Sequence, residues 1–179
     1  KMHNNDNSSE MIVDDREQSK EAEMVDSQFE IRVATESDAT TIAQFNILMA
    51  KETENRDLDV TVVHRGVQQV FQNAPHYGFY LVTQEKSSGR VVGSLMITYE
   101  WSDWNCKQYW YIQSLYVCPE FRRRGIFKRM YHHLKQMAQK PEHNCASIRL
   151  YVDRDNQKAQ TTYELLGMTS HYLLYEQDL

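Results

Sequence analysis

No stretch of the 179-residue chain approaches the ~20 consecutive apolar residues that a membrane-spanning helix needs, so no membrane partner is expected. Cysteine is scarce: Cys106, Cys118 and Cys145 are odd in number, widely spaced and free of any CxxC pair. That argues against a disulfide framework and a cysteine zinc site, and it suits a reducing compartment, expected to be cytoplasmic, with a nuclear location left open. The only adjacent histidines, His132 and His133, do not share a helix face, so no metal is expected. There is no excess of basic charge, which a nucleic-acid partner would require. The first residues are polar and acidic, unlike a signal peptide.

The net charge of −5 is unevenly placed. Residues 1–28 carry eight acidic groups against three basic ones, while residues 29–179 carry seventeen of each sign. The first segment has no sustained apolar period and reads as an acidic, disordered tail. Residues 29–179 read as one folded domain. Phe29, Ile31 and Val33 alternate as in a half-buried strand. Thr35 and Asp38 hold capping-box spacing ahead of a helix that ends near Glu54. A second helix spans Val60 to Gln72, with Val63, Val67, Val70 and Phe71 on one side. Two strands, residues 79–82 and 91–97, form a hairpin around Ser87, Ser88 and Gly89. A β-rich run from Tyr109 to Val117 stops at Pro119. Helix, strand, helix and strand follow, the last helix capped by Asn156 and stopped by Gly167. The last strand is expected over residues 168–175. The order β-α-α-β-β-β-α-β-α-β predicts an α+β fold with a mixed sheet and helices on both faces.

Chemistry concentrates in residues 113–128, where a strand, a turn and an amphipathic helix meet. Arg122, Arg123, Arg124 and Lys128 crowd the helix start around Gly125. Cations there oppose the helix dipole, at about 0.3–1 kcal/mol each, unless an anion is expected. Unpaired N–H groups at a helix start bind phosphate, and glycine lets the backbone come close to it. A solvated basic first turn is the alternative, and it leaves the electrostatic conflict unexplained.

The segment resembles the central motif of the GCN5-related N-acetyltransferases (GNAT family), whose pattern is Gln/Arg-x-x-Gly-x-Gly/Ala after a strand. Arg122, Gly125 and Phe127 occupy the three motif positions, and Phe127 departs from the usual small residue. The spacing of Asn156, Ala159, Tyr163 and Gly167 resembles the strand–helix unit that follows in the family. The resemblance implies a GNAT-like fold with splayed central strands and acetyl-CoA as co-substrate. It implies that Leu115, Tyr116 and Val117 bind the pantetheine arm through their backbone. It implies that Arg122, Arg123, Arg124, Gly125, Ile126, Phe127 and Lys128 hold the pyrophosphate. Asn156, Ala159 and Tyr163 complete the cofactor site, with Tyr163 as the acid that protonates the leaving thiolate. A phenol with a pKa near 10 suits that role.

The implied reaction is acetyl transfer to a primary amine by direct attack in a ternary complex. The amine could belong to a small molecule, a lysine or a protein N-terminus. A non-catalytic acyl-CoA sensor is the competing reading, and Tyr163 argues against it. Gln113 stands where many relatives keep a basic Glu. Two acidic groups are the candidates for the acceptor side. Glu52 and Glu54 end the first helix, with Glu54 the candidate base. Trp101, Asp103 and Trp104 lie in the loop before the motif strand and could hold a cation by charge and by cation–π contact. Dimers are frequent in the family, which leaves a homodimer open.

Overall fold

The structure is a computed structural model that describes residues 28–177. The expected acidic tail therefore lies almost wholly outside the described residues. The alternating Phe29, Ile31 and Val33 form strand β1 (Phe29–Val33). Helices α1 (Ala39–Glu54) and α2 (Val60–Gln72) follow, then strands β2 (Phe79–Glu85), β3 (Val91–Ser102) and β4 (Lys107–Val117). Helix α3 (Ile126–Ala138), strand β5 (Cys145–Leu150) and helix α4 (Gln157–Leu165) complete the described elements. The strands form one sheet in the order β1-β2-β3-β4-β5. Neighbours run antiparallel as far as β4, and β5 lies parallel to it after the α3 crossover. This is the mixed α+β arrangement that the element order predicts.

Side-chain caps set the element boundaries. Asp38 accepts from the Thr35 backbone N–H at 2.8 Å, and the Thr35 and Asp38 box is complete. The same carboxylate takes a two-pronged contact from Arg32, at 2.7 and 2.9 Å, which ties β1 to the start of α1. Asp59 caps α2 by accepting from the N–H groups of Thr61 and Val62. Asn55, at φ 50°, turns the chain out of α1.

Two apolar layers flank the sheet. On one face Ile42, Ala43, Val67 and Val70 of α1 and α2 pack on Tyr80 and Val82. The other layer joins Leu81, Leu95, Ile97, Trp110 and Ile112 to Ile126, Met130 and Leu134 of α3. Burial of this kind contributes roughly 1.5–3 kcal/mol per large side chain.

The expected last strand is absent: residues 168–177 form no regular element. Tyr172, Leu173, Leu174 and Tyr175 are 60–87% exposed. The run has no apolar–polar alternation to fix a register. Leu173 and Leu174 would face opposite sides of any strand, and the described residues cover neither.

Two irregularities shape β4. Met96 pairs with Ser114 but Ile97 pairs with Ile112, so Gln113 is an extra residue in β4. Such a bulge flips the faces beyond it. Before it, Trp110 packs on His143, just beyond α3; after it, Tyr116 packs on Phe45 of α1 with ring centroids 5.0 Å apart. The pairing of β4 with β5 also stops there, its last pair being Ile112 with Leu150. Residues 113–117 continue on β3 alone, and the two central strands fork.

The Asp38 contact gives a stability prediction. Asp38 is 6% exposed, and its carboxyl is held below the usual range first by the Arg32 guanidinium. Asp38→Ala should cost about 2 kcal/mol, read as a lower midpoint in urea unfolding. Because the folded-state pKa is depressed, the contribution is complete above the ordinary aspartate value of about 3.9. It is lost as pH falls through the lower folded-state value, so the wild-type and variant midpoints should converge in strong acid.

Candidate active site

The chain leaves β4 through a short turn at Pro119–Phe121 and reaches α3 by a left-handed step. Arg123 has φ 64° and Gly125, the N-cap of α3, has φ 70°. No side chain caps this helix. Its first internal bond runs from the Arg129 N–H to the Gly125 carbonyl, so the N–H groups of Ile126, Phe127 and Lys128 have no helical acceptor. A Cβ placed on Gly125 meets nothing within 4 Å, so the space in front of the turn is open. Arg123, Arg124 and Lys128 are exposed and have no carboxylate partner among the described residues. Ile126 is 3% exposed, which leaves only its backbone to face a ligand. These features fit a pyrophosphate group: free N–H donors, unpaired cations and room at the glycine.

Arg122 does something different from its neighbours. Its Nε donates to the Val117 carbonyl at 2.8 Å and its Nη2 to Glu52 at 2.6 Å. Tyr116 donates its hydroxyl to the other oxygen of Glu52 at 3.1 Å, and the Arg122 guanidinium lies 5.4 Å from the Tyr116 ring centre. Burial first, then Glu52, pushes the Tyr116 phenol up to about 12, which keeps it a donor. Arg122 thus braces the turn against α1 instead of adding free charge to it. Glu52, expected at the acceptor wall, is its anchor. Glu54 lies two residues on, about 200° around the helix from Glu52, and is turned away from this cluster.

The fork exposes the β5-facing side of residues 113–117, including the backbone of Leu115, Tyr116 and Val117. Across its crotch Gln113 donates to the Tyr151 hydroxyl at 2.9 Å. In α4, Asn156 accepts from the Ala159 N–H at 3.1 Å and so acts as the cap. The half-buried Tyr163 packs edge-on against Phe127, with ring centroids 5.7 Å apart. Burial raises its pKa above that of a free tyrosine. The bulky residue at the last motif position is therefore the one that seats Tyr163. Motif spacing marked Phe127 only as a departure and gave no sign of this contact.

The structure does not bring the tryptophan loop to the fork. Trp101 pairs with Gln108, and Asp103 and Trp104 occupy the hairpin tip beyond, Trp104 being 95% exposed. From the tip at Lys107 to Gln113 is roughly 20 Å along the strand. A cleft of about 440 Å3, lined by residues including Lys107, Lys135, Cys145 and Ile148, runs between α3 and β5 and does not include the turn. Among the described residues no group of three or more His, Cys, Asp or Glu could hold a metal ion. No helix among them is long and apolar enough to cross a membrane.

Comparison with known proteins agrees with the geometry. A sequence model of the acetyltransferase (GNAT) family matches residues 44–168. The structure is similar to that of a possible acetyltransferase from Clostridium difficile 630, at 40% identity and TM-score 0.78, covering 85% of this chain and 98% of that one. It also shares its fold with an acetyltransferase from Trypanosoma brucei (22% identity, TM-score 0.64, covering 84% of this chain and 99% of that one). A ribosomal-protein-alanine N-acetyltransferase from Brucella melitensis biovar Abortus 2308 has the same fold at 16% identity and TM-score 0.68, covering 84% and 99%. The chain belongs to the acetyltransferase (GNAT) family of acyl-CoA-dependent N-acetyltransferases. Acetyl-CoA is the co-substrate typical of that family.

Gly125 offers a direct check on the turn. Gly125→Ala forces a Cβ into a left-handed conformation, at about 1–2 kcal/mol, and places it where a ligand would approach the backbone. The variant should still fold, with acetyl-CoA affinity by calorimetry reduced about 10-fold or more. Unchanged affinity would mean that the turn does not hold the cofactor.

Proposed function

We propose that this protein transfers acetyl from acetyl-CoA to a primary amine by direct attack in a ternary complex. The fork of β4 from β5 beside the cationic left-handed turn carries this reading. It offers backbone groups for an extended thioester arm and an anion site at one end of it. Acetyl-CoA supplies an activated acyl carbon with a thiolate leaving group.

The chain's own residues then have distinct tasks. The N–H groups of residues 126–128, with Arg123, Arg124 and Lys128, hold the pyrophosphate. Arg122 fixes the turn through Glu52 and the Val117 carbonyl. The backbone of Leu115, Tyr116 and Val117 lines the arm, and an N–H aimed at the acyl oxygen stabilises negative charge as it develops there. Tyr163, seated on Phe127 and kept protonated by burial, donates its proton to the departing sulfur. Asn156 sets the start of the helix that carries Ala159 and Tyr163. Cys118, which heads the turn, is 5% exposed, and no cysteine lies in α4, which favours direct transfer over an acyl-enzyme.

The amine must lose a proton before it attacks. An alkylammonium near pKa 10.4 is about 3.4 units from its reactive form at pH 7. Glu52 is committed to Tyr116 and Arg122, and Gln113 cannot accept the proton as a base. The rate should therefore rise with pH through the neutral range. It should fall again only when Tyr163 ionises, and burial places that step above the ordinary tyrosine value of about 10.

Tyr163→Phe tests the assignment. CoA release should drop about 100- to 10,000-fold, with acetyl-CoA affinity within about twofold of wild type. Equal turnover by the variant would remove Tyr163 from the chemistry. Tight acetyl-CoA binding by wild type, with no CoA released on any amine, would replace the enzyme reading by that of an acyl-CoA sensor.

A further inference from the structure

Around the fork, beyond the end of α1, one face of the sheet carries polar and half-buried side chains. Glu100 of β3 stands opposite Tyr109 of β4, and Tyr111 of β4 stands opposite Arg149 of β5. Strand alternation puts Tyr109, Tyr111 and Arg149 on one face, the face on which Tyr116 meets α1 beyond the bulge. The opposite side chains, Trp110, Ile112, Ile148 and Leu150, belong to the core shared with α3. Tyr151 continues the face, with its ring 5.7 Å from that of Tyr111 and its hydroxyl on Gln113.

Arg149 is held in an unusual way. Its guanidinium lies 3.4 Å from the centre of the Tyr109 ring. Its one polar partner among the described residues is Glu100, at 3.4 Å from a single nitrogen. That is a long, one-pronged contact, unlike the short fork that Arg32 makes with Asp38. The ring holds the guanidinium and leaves most of its N–H groups without a polar partner among the described residues, and a planar carboxylate can take two of them. The cofactor's phosphates are not the natural partner. Tyr111, which stands opposite Arg149, is six residues from Val117, so the turn lies roughly 20 Å further on. Arg149 instead sits one residue before the last β4–β5 pair, beside the place where the acyl group would lie.

We propose that Arg149 is a specificity-determining residue that binds a carboxylate on the acceptor, so that the substrate class is small amines bearing a carboxylate, amino acids and close analogues. This rests on the acetyl-transfer reading of the fork. The amine then points into the fork past Gln113, while the carboxylate stays on Arg149. Glu100 holds the guanidinium in place and competes with the acceptor for it.

The test compares matched pairs of acceptors, each an amino acid and the same molecule lacking its carboxylate, in a CoA-release assay on the full chain. Amino acids should be preferred in kcat/KM by about 100-fold, as expected when a charged hydrogen-bonding partner is missing. Arg149→Met should raise KM for the amino acid by about 10- to 100-fold, leave KM for acetyl-CoA unchanged, and abolish the preference within each pair. Arg149→Lys should restore it only in part, because an ammonium cannot make the two-pronged contact. Glu100→Gln should lower KM for amino acids, a change of opposite sign that a merely structural role would not give. Turnover indifferent to the carboxylate, or an Arg149→Met variant that loses acetyl-CoA and acceptor affinity equally, overturns this assignment and leaves acetyl transfer standing. No CoA release with any acceptor overturns the transfer reading, and this one with it.

Discussion

One inserted residue organises the site. Gln113 gives β4 one residue more than β3 can match, and the strand cannot then stay in register with both neighbours. It keeps β3 and gives up β5. Backbone polar groups that a sheet would pair are thereby left facing a gap, and unpaired backbone groups are costly unless something satisfies them. A ligand with an extended amide-bearing arm is one such partner. The bulge also turns Tyr116 toward α1, which brings a phenol to Glu52 and, through it, Arg122 to the same carboxylate. Fork and brace both follow from one extra residue.

The charge at the α3 start is divided between two tasks. The sequence presents four cations in seven residues, all opposed to the helix dipole. The structure removes Arg122 from that group by pairing it with Glu52 and the Val117 carbonyl. Arg124 is partly eased by the Phe121 ring, 5.2 Å away. What remains is a left-handed turn with N–H groups pointing outward and three cations around them. Such a surface favours an anion at the turn.

The fold was legible in the sequence where local physics decides it. Alternation fixed β1, capping groups at Thr35, Asp38 and Asn156 fixed helix starts, and Pro119 closed β4. It misled where an element depends on a neighbour: residues 168–175 look apolar enough for a strand, but a strand is a pairing, and no partner is offered to them among the described residues. Within the site, the motif spacing located the turn, while three features stayed hidden. The bulge at Gln113 is a mismatch between two strands and cannot be seen in either alone. The brace from Arg122 to Glu52 spans 70 positions. The seating of Tyr163 on Phe127 links two helices that meet only in space. Arg149 had a faint signal: Ser147, Arg149 and Tyr151 alternate with Ile148 and Leu150, which marks one face of that strand as polar.

Glu52 has a consequence that belongs to thermodynamics more than to geometry. It closes α1, and it is the anchor that Tyr116 and Arg122 share. Two contacts that share one anchor are not independent in free energy. Losing either contact changes what the other is worth. A single carboxylate with two partners thus makes β4 and the turn reporters on each other.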